Sequence, residues 1–220
     1  MNPVAKRTLT GLLVGAIVIC AILFTPPKAV VPVIAGLIAL SIMEYLLLLK
    51  KKFDRPVPAA LLALVAGVAL IFAGFSMLAA TMDKFGNVML LYVIAIVKFS
   101  DVGGFAFGLT SAKCMKGGNH KMCPGISPNK SWEGMAGSIF LSSLVSCCFI
   151  PATHFAPAKA IAFGVAAAVL GSLGDLIESK FKRWIGVKDS SSMKITNGMG
   201  GFLDMFDSLL VAPAVLYFFI

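Results

Sequence analysis

Charge is scarce in this 220-residue sequence. Only 13% of its side chains are Asp, Glu, Lys or Arg, against about 25% in an ordinary soluble domain. Acidic residues number ten and basic residues nineteen. With 59% apolar residues and a mean hydropathy of +0.94, the chain has far more apolar surface than one core of this size can hide. A soluble globular protein, a disordered tail and a disulfide-stapled miniprotein are all excluded. Cysteine is sparse as well. Cys20, Cys147 and Cys148 fall in apolar runs, while Cys114 and Cys123 stand nine apart around His120 with no C-x-x-C pair. That spacing lacks a fourth zinc ligand and reads as reduced thiols in a cytoplasmic loop. There is no internal repeat, no low-complexity tract, and no basic run interleaved with aromatics, which argues against nucleic-acid binding.

What the sequence does have is long apolar runs. A helix rising about 1.5 Å per residue needs roughly 17–25 residues to cross the hydrocarbon, and seven stretches qualify: 8–24, 29–49, 57–80, 88–109, 134–150, 160–177 and 202–220. The expected fold is an all-α polytopic membrane bundle of about seven spans. With a cytoplasmic amino terminus, fifteen Lys and Arg fall inside and three (Lys28, Lys84, Lys159) outside. The positive-inside rule selects that orientation and puts the carboxyl terminus outside. Residues 1–97 read as N-terminal membrane helices. Residues 98–220 read as a catalytic membrane domain with cytoplasmic loops 110–133 and 178–201.

Ionisable residues inside such spans cost a few kcal/mol or more and mark cavities or partners. Glu44 lies in the second span, where Tyr45 and Lys50 suggest an interfacial position. Lys98 and Asp101 lie in the fourth, Asp175 and Glu178 end the sixth, and Asp204 and Asp207 start the seventh. Asp204 and Asp207 are spaced i, i+3, so on a helix both carboxylates share one face and can share a hard cation. Asp175 and Glu178 have the same spacing, and Glu178 can pair with Lys182. Between the two acidic pairs come Ser179, Lys182, Arg183, Lys188, Asp189, Ser190 and the turn Asn197-Gly-Met-Gly-Gly201. Cations, hydroxyls and a glycine-rich turn before a helix suit a polyphosphate. Carboxylates beside such a loop imply a divalent metal, and the set suggests metal-assisted phosphoryl or nucleotidyl transfer to a lipid.

The order of these residues resembles the carboxyl-terminal signature of phosphatidate cytidylyltransferases, the CDP-diacylglycerol synthases. The resemblance rests on Gly174-Asp-Leu-Ile-Glu-Ser179, Phe181-Lys-Arg183, Lys188-Asp-Ser190, Gly200-Gly201 and Asp204-x-x-Asp207-Ser208. A second block, Asp101-Val-Gly-Gly-Phe-Ala-Phe-Gly108 followed by Ile126-Ser-Pro-Asn-Lys-Ser-Trp-Glu-Gly134, is similar to the family's D-x-G-A-Y-x-x-G and S-P-x-K-T-W-E-G segments. The resemblance implies that phosphatidic acid attacks the α-phosphorus of CTP, giving CDP-diacylglycerol and pyrophosphate. It implies that Asp175, Asp204 and Asp207 hold Mg²⁺, with a second cation such as K⁺ as an option. It also implies that Lys182, Arg183 and Lys188 bind phosphates, with Ser179, Asp189, Ser190, Gly200 and Gly201 around them. Ser127, Lys130, Trp132 and Glu133 would order the nucleotide or lipid headgroup, and Asp101 would be a wall residue or a distant ligand. Family likeness further implies a homodimer and a site facing the cytoplasm from the cell membrane.

The sequence also departs from the family's P-x-H-G-G-x-x-D-R-x-D segment. Met199 stands at the histidine position and Met205 at the arginine position, and the proline is absent. A non-catalytic relative would fit those losses, but the three metal-type aspartates are retained. A transporter would place its acids near mid-bilayer on broken helices, whereas here they gather toward one face. The D-G-x-x-A-R string of CDP-alcohol phosphotransferases does not occur.

Overall fold

The computed structural model describes residues 20–52 apart from 21 and 25, then 58–116, 118–187 and 206–220. Helix α1 (Pro27–Lys52), α2 (Pro58–Phe85) and α3 (Asn87–Cys114) precede a small hairpin, β1 (Lys121–Cys123) and β2 (Ser127–Ser131). Then come α4 (Trp132–Cys148), the single turn α5 (Ile150–Thr153), α6 (Pro157–Ile185) and α7 (Ser208–Leu216), which runs into a 3₁₀ turn at Tyr217–Phe219. These apolar segments are helical because hydrocarbon offers no partner to a backbone N–H or C=O, and a helix satisfies both internally. Four stretches are long and apolar enough to cross a membrane: Val31–Lys50, Ala60–Phe85, Asn87–Cys114 and Pro157–Ile185. The fifth expected span appears as the 17 residues of α4, at the short end of the spanning range. The expected span at 8–24 lies almost wholly outside the described residues, and that at 202–220 is described from residue 206.

Two expected loops are shorter than the apolar pattern suggested. Residues 110–133 are not all loop, because α3 continues to Cys114 and β1 then pairs antiparallel with β2, Lys121 opposite Ser131 and Cys123 opposite Ser127. Pro124 and Gly125 occupy the turn between them, closed by the Ile126 N–H on the Cys123 carbonyl at 3.1 Å, since proline presets the backbone angle that such a turn needs. The chain is therefore not purely helical. The second loop, expected from 178, starts after α6 ends at Ile185. Gly186 stops that helix in the left-handed region (φ 88°), and its N–H reaches the carbonyls of Lys182 and Arg183, a cap open to glycine because it has no Cβ.

Packing relies on small residues and hydroxyls, as it must where lipid removes the hydrophobic drive between helices. Ser138, Ser142 and Ser146 recur every fourth residue on α4. Their hydroxyls donate to the carbonyls of Ser100 (2.9 Å), Ile96 (2.8 Å) and Ala160 (2.6 Å). Gly103 and Gly137 oppose each other so closely that a Cβ on either would strike the other's backbone. Ser41, Glu44, Tyr45 and Leu48 form the buried stripe of α1. Glu44, expected at the interface, is instead 1% exposed, because i, i+3, i+4, i+7 spacing turns that whole stripe toward α2 and α6. Its neighbour Tyr45 donates to the Ala63 carbonyl at 2.7 Å and stacks on Phe181 with ring centres 4.7 Å apart.

The start of α7 is pinned from two sides. A Cβ on Gly174 of α6 would lie 2.5 Å from the Asp207 carbonyl, and one on Gly74 of α2 would lie 2.5 Å from that of Leu210. Backbone therefore meets helix here without an intervening side chain, and that close approach fixes where Asp207 sits.

Candidate active site

Three elements bring three aspartates together: Asp101 from α3, Asp175 from α6 and Asp207 from the residue before α7. Asp175 and Asp207 are close enough for each carboxyl to feel the charge of the other. Asp101 is close enough to feel the charge of Asp175, and its Oδ2 accepts from the Ser208 hydroxyl at 2.9 Å. Asp207 Oδ1 accepts the Ser208 N–H at 2.6 Å. Around them stand two lysines. Lys98 Nζ lies 3.2 Å from Asp101 Oδ2 and 3.0 Å from Ser208 Oγ. Lys130 Nζ donates to Asp175 Oδ2 at 2.8 Å and to the Ser172 carbonyl at 3.0 Å.

Lys130 reaches Asp175 because the hairpin folds β2 back over the cluster. Ser131 then caps α4 by accepting the Gly134 N–H at 3.1 Å. Glu133 clamps the other strand: both its oxygens accept the His120 N–H at 3.1 Å, and its Oε1 meets His120 Nδ1 at 2.6 Å. The His120 hydrogen bond, with backbone N–H groups behind it, pulls the Glu133 carboxyl down to about 2. Glu133 is thus occupied with the hairpin, a role that the S-P-x-K-T-W-E-G pattern alone does not reveal. Trp132 is 60% exposed at the start of α4, and Ser127 opens β2, half-buried.

Other expected residues divide cleanly. Glu178 and Lys182 pair at 2.8 Å near the end of α6. Arg183 is exposed one residue on, its Nη1 3.4 Å from the Val187 carbonyl, and Ser179 is half-buried on the same helix. Lys188, Asp189, Ser190, Gly200, Gly201 and Asp204 lie outside the described residues, as do Met199 and Met205. Sequence reasoning noted Lys98 only as a charge within a span. Its i, i+3 spacing from Asp101 was the available signal, but the bond to Ser208, 110 residues away, was not readable.

Among the described residues no group of three or more His, Cys, Asp or Glu is arranged to hold a metal by itself. Two adjoining carboxylates nevertheless fit Mg²⁺, which is commonly bound by one or two carboxylates plus substrate phosphates. Next to Asp207 opens a cavity of about 570 Å³, walled by Tyr45, Gly67, Leu70, Ile177, Phe181 and Leu210. The site therefore combines acids, fixed cations and an apolar chamber.

Residues 55–220 match the cytidylyltransferase family. The phosphatidate cytidylyltransferase of Staphylococcus aureus (strain COL) is 37% identical over 222 residues, covering 98% of this chain and 81% of the relative. That of Staphylococcus epidermidis is 37% identical over 186 residues, covering 82% of this chain and 66% of the relative. The phosphatidate cytidylyltransferase of Staphylococcus saprophyticus is 35% identical over 185 residues, with the same coverage. The matched region runs from α2 to the last residue and includes every aspartate of the cluster, and by that measure the chain belongs to the phosphatidate cytidylyltransferase family.

Proposed function

We propose that this integral membrane protein transfers the cytidylyl group of CTP to phosphatidic acid, releasing pyrophosphate and forming CDP-diacylglycerol. The observation that carries the proposal is the meeting of Asp175 with Lys130 and its closeness to Asp207, which lines an apolar cavity, in a chain matched to the family over nearly its whole length. In this scheme an oxygen of the lipid phosphate bonds to the α-phosphorus while the bond to the pyrophosphate breaks. A monoester phosphate has a second pKa of about 6, so it is mostly a dianion at neutral pH and needs no general base. The methionine at position 199 is compatible with that chemistry, which depends on positioning and charge.

Asp175 and Asp207, with Asp204, would hold Mg²⁺, whose positive charge would offset that of the triphosphate. Arg183, exposed near the end of α6, would meet a phosphate. Lys182, held by Glu178, fixes the end of α6, and Lys130 orients Asp175. Lys188, Ser179, Asp189, Ser190 and the Gly200-Gly201 turn complete the phosphate loop, while Ser127 and Trp132 border the nucleotide or headgroup. The chamber beside Asp207 accepts an acyl chain. Seven spans, a cytoplasmic amino terminus and a site facing the cytoplasm belong to the same proposal, supported by the distribution of basic residues.

The test is to incubate detergent-purified protein with CTP, Mg²⁺ and phosphatidic acid and to measure pyrophosphate together with a nucleotide-bearing lipid. Metal-dependent product is expected, lowered about 10²- to 10³-fold in D175N with the unfolding midpoint kept within a few degrees. Absence of product across several lipid phosphates and nucleotides, from folded protein, would refute the proposal.

A further inference from the structure

Lys98 stands in the middle of a span. It is eleven residues into α3, about 17 Å from the helix start at 1.5 Å per residue, at a depth where an ammonium persists only with a partner or a water-filled cavity. Its hydrogen bonds form a closed triangle: Lys98 Nζ to Asp101 Oδ2 (3.2 Å), Lys98 Nζ to Ser208 Oγ (3.0 Å), and Ser208 Oγ to Asp101 Oδ2 (2.9 Å). Donor accounting allows one pattern. An ammonium only donates and a carboxylate only accepts, so the Ser208 hydroxyl accepts from Lys98 and gives its own proton to Asp101. Ser208 is also the residue whose N–H binds Asp207 Oδ1. The ammonium thus touches the Asp101 carboxylate directly and reaches that of Asp207 through a single serine.

Acids gather here in numbers that call for cations: Asp101 and Asp175 each meet a lysine, Lys98 and Lys130. Side-chain exposures of 36% for Lys98 and 34% for Asp101 show that the pair is not sealed between helices. An ammonium and a potassium ion carry the same charge, but the ammonium is tethered and present at every step.

We propose that the Lys98 ammonium is the resident monovalent cation of the carboxylate cluster, a positioning residue that offsets Asp101 and, through Ser208, sets the approach of Asp207. The cluster then needs no soluble monovalent cation, so the K⁺ that the family resemblance allowed has its place filled by the chain itself. This inference rests on the cluster being the transfer site, and its test has one arm that does not depend on turnover.

The full-length protein, K98R and K98M are compared in detergent at constant ionic strength, in potassium, ammonium or choline chloride, with Mg²⁺ present. Both the unfolding midpoint and cytidylyl transfer to phosphatidic acid are measured. Wild type is expected to vary less than twofold in rate among the three salts, and K98R to stay within about threefold of wild type. K98M should lose at least tenfold in choline and recover severalfold in potassium or ammonium. Its unfolding midpoint should rise in those two salts and not in choline, while that of wild type stays level. Wild type activated or stabilised specifically by potassium would overturn the inference, and so would a folded K98M that matches wild type or responds to no small cation. If K98M cannot be recovered from membranes, K98Q takes its place and the wild-type salt series still decides. A complete absence of transfer in wild type condemns the proposed activity, and the midpoints still judge the cation role of Lys98.

Discussion

Gly174 owes its identity to Asp207. A Cβ at that position would sit 2.5 Å from the Asp207 carbonyl, and a backbone atom pinned between two helices has little room to yield. Gly174→Ala is therefore expected to cost about 1–3 kcal/mol through overpacking and to cut kcat while the unfolding midpoint falls. At Gly171, one turn earlier, the nearest atom to an added Cβ is Ser208 Cβ at 3.6 Å, ordinary contact, so Gly171→Ala should stay close to wild type in both measurements. Equal effects from the two substitutions would show that Gly174 does not place Asp207. The acids themselves were legible in the sequence, because Asp and Glu at i, i+3 inside apolar runs have few structural explanations. Glu178 with Lys182 was legible from its spacing, but the partners distant in sequence were not. Lys130 meets an aspartate 45 residues away and Lys98 a serine 110 residues away, and a single sequence carries no signal for such pairs.

Among the elements, the hairpin is the one the apolar pattern missed. Strands of three and five residues, the second reading Ser-Pro-Asn-Lys-Ser, carry no alternation of apolar and polar side chains, so periodicity has nothing to detect. What holds β1 to α4 is Glu133 on His120. The Glu133 carboxyl sits at about 2 in the fold against 4.5 ordinarily, so its charged form stabilises the hairpin. Because the folded value is depressed, that contribution is complete above about pH 4.5 and fades as pH falls through about 2. Amide exchange at His120 should accordingly quicken, relative to α4, as acid is added over that window. In E133Q it should be faster from the outset and flat across the same window. Unchanged exchange in E133Q would remove the clamp from the account. Helices were easier to read. Runs of about twenty apolar residues admit few alternatives in a chain with this hydropathy, and among the described residues the differences lie at helix ends, where Gly186 and the start of the hairpin decide.

At the scale of the molecule, the basic residues give a handedness to the bundle that apolar packing does not. The expected inside loops hold fifteen Lys and Arg and the outside ones three, and this distribution supports the proposed orientation, with the aspartate cluster facing the cytoplasm. Cys114 ends α3 and Cys123 ends β1, the first exposed and the second half-buried, and they serve as reporters once the other three cysteines are changed to serine. A membrane-impermeant maleimide is expected to label them in inside-out vesicles and not in intact cells. The opposite pattern would invert the topology. Glu44 shows what hydropathy leaves out, since a buried carboxylate and an interfacial one look the same in a list of residues. The central claim is transfer of a nucleotidyl group, and the most direct measurement follows separate labels in CTP. With label at the α-phosphorus, radioactivity should enter the lipid fraction when phosphatidic acid and Mg²⁺ are present. With label at the γ-phosphorus it should leave in pyrophosphate and the lipid should stay cold. Lipid labelled from the γ-position, or from neither, would contradict the account.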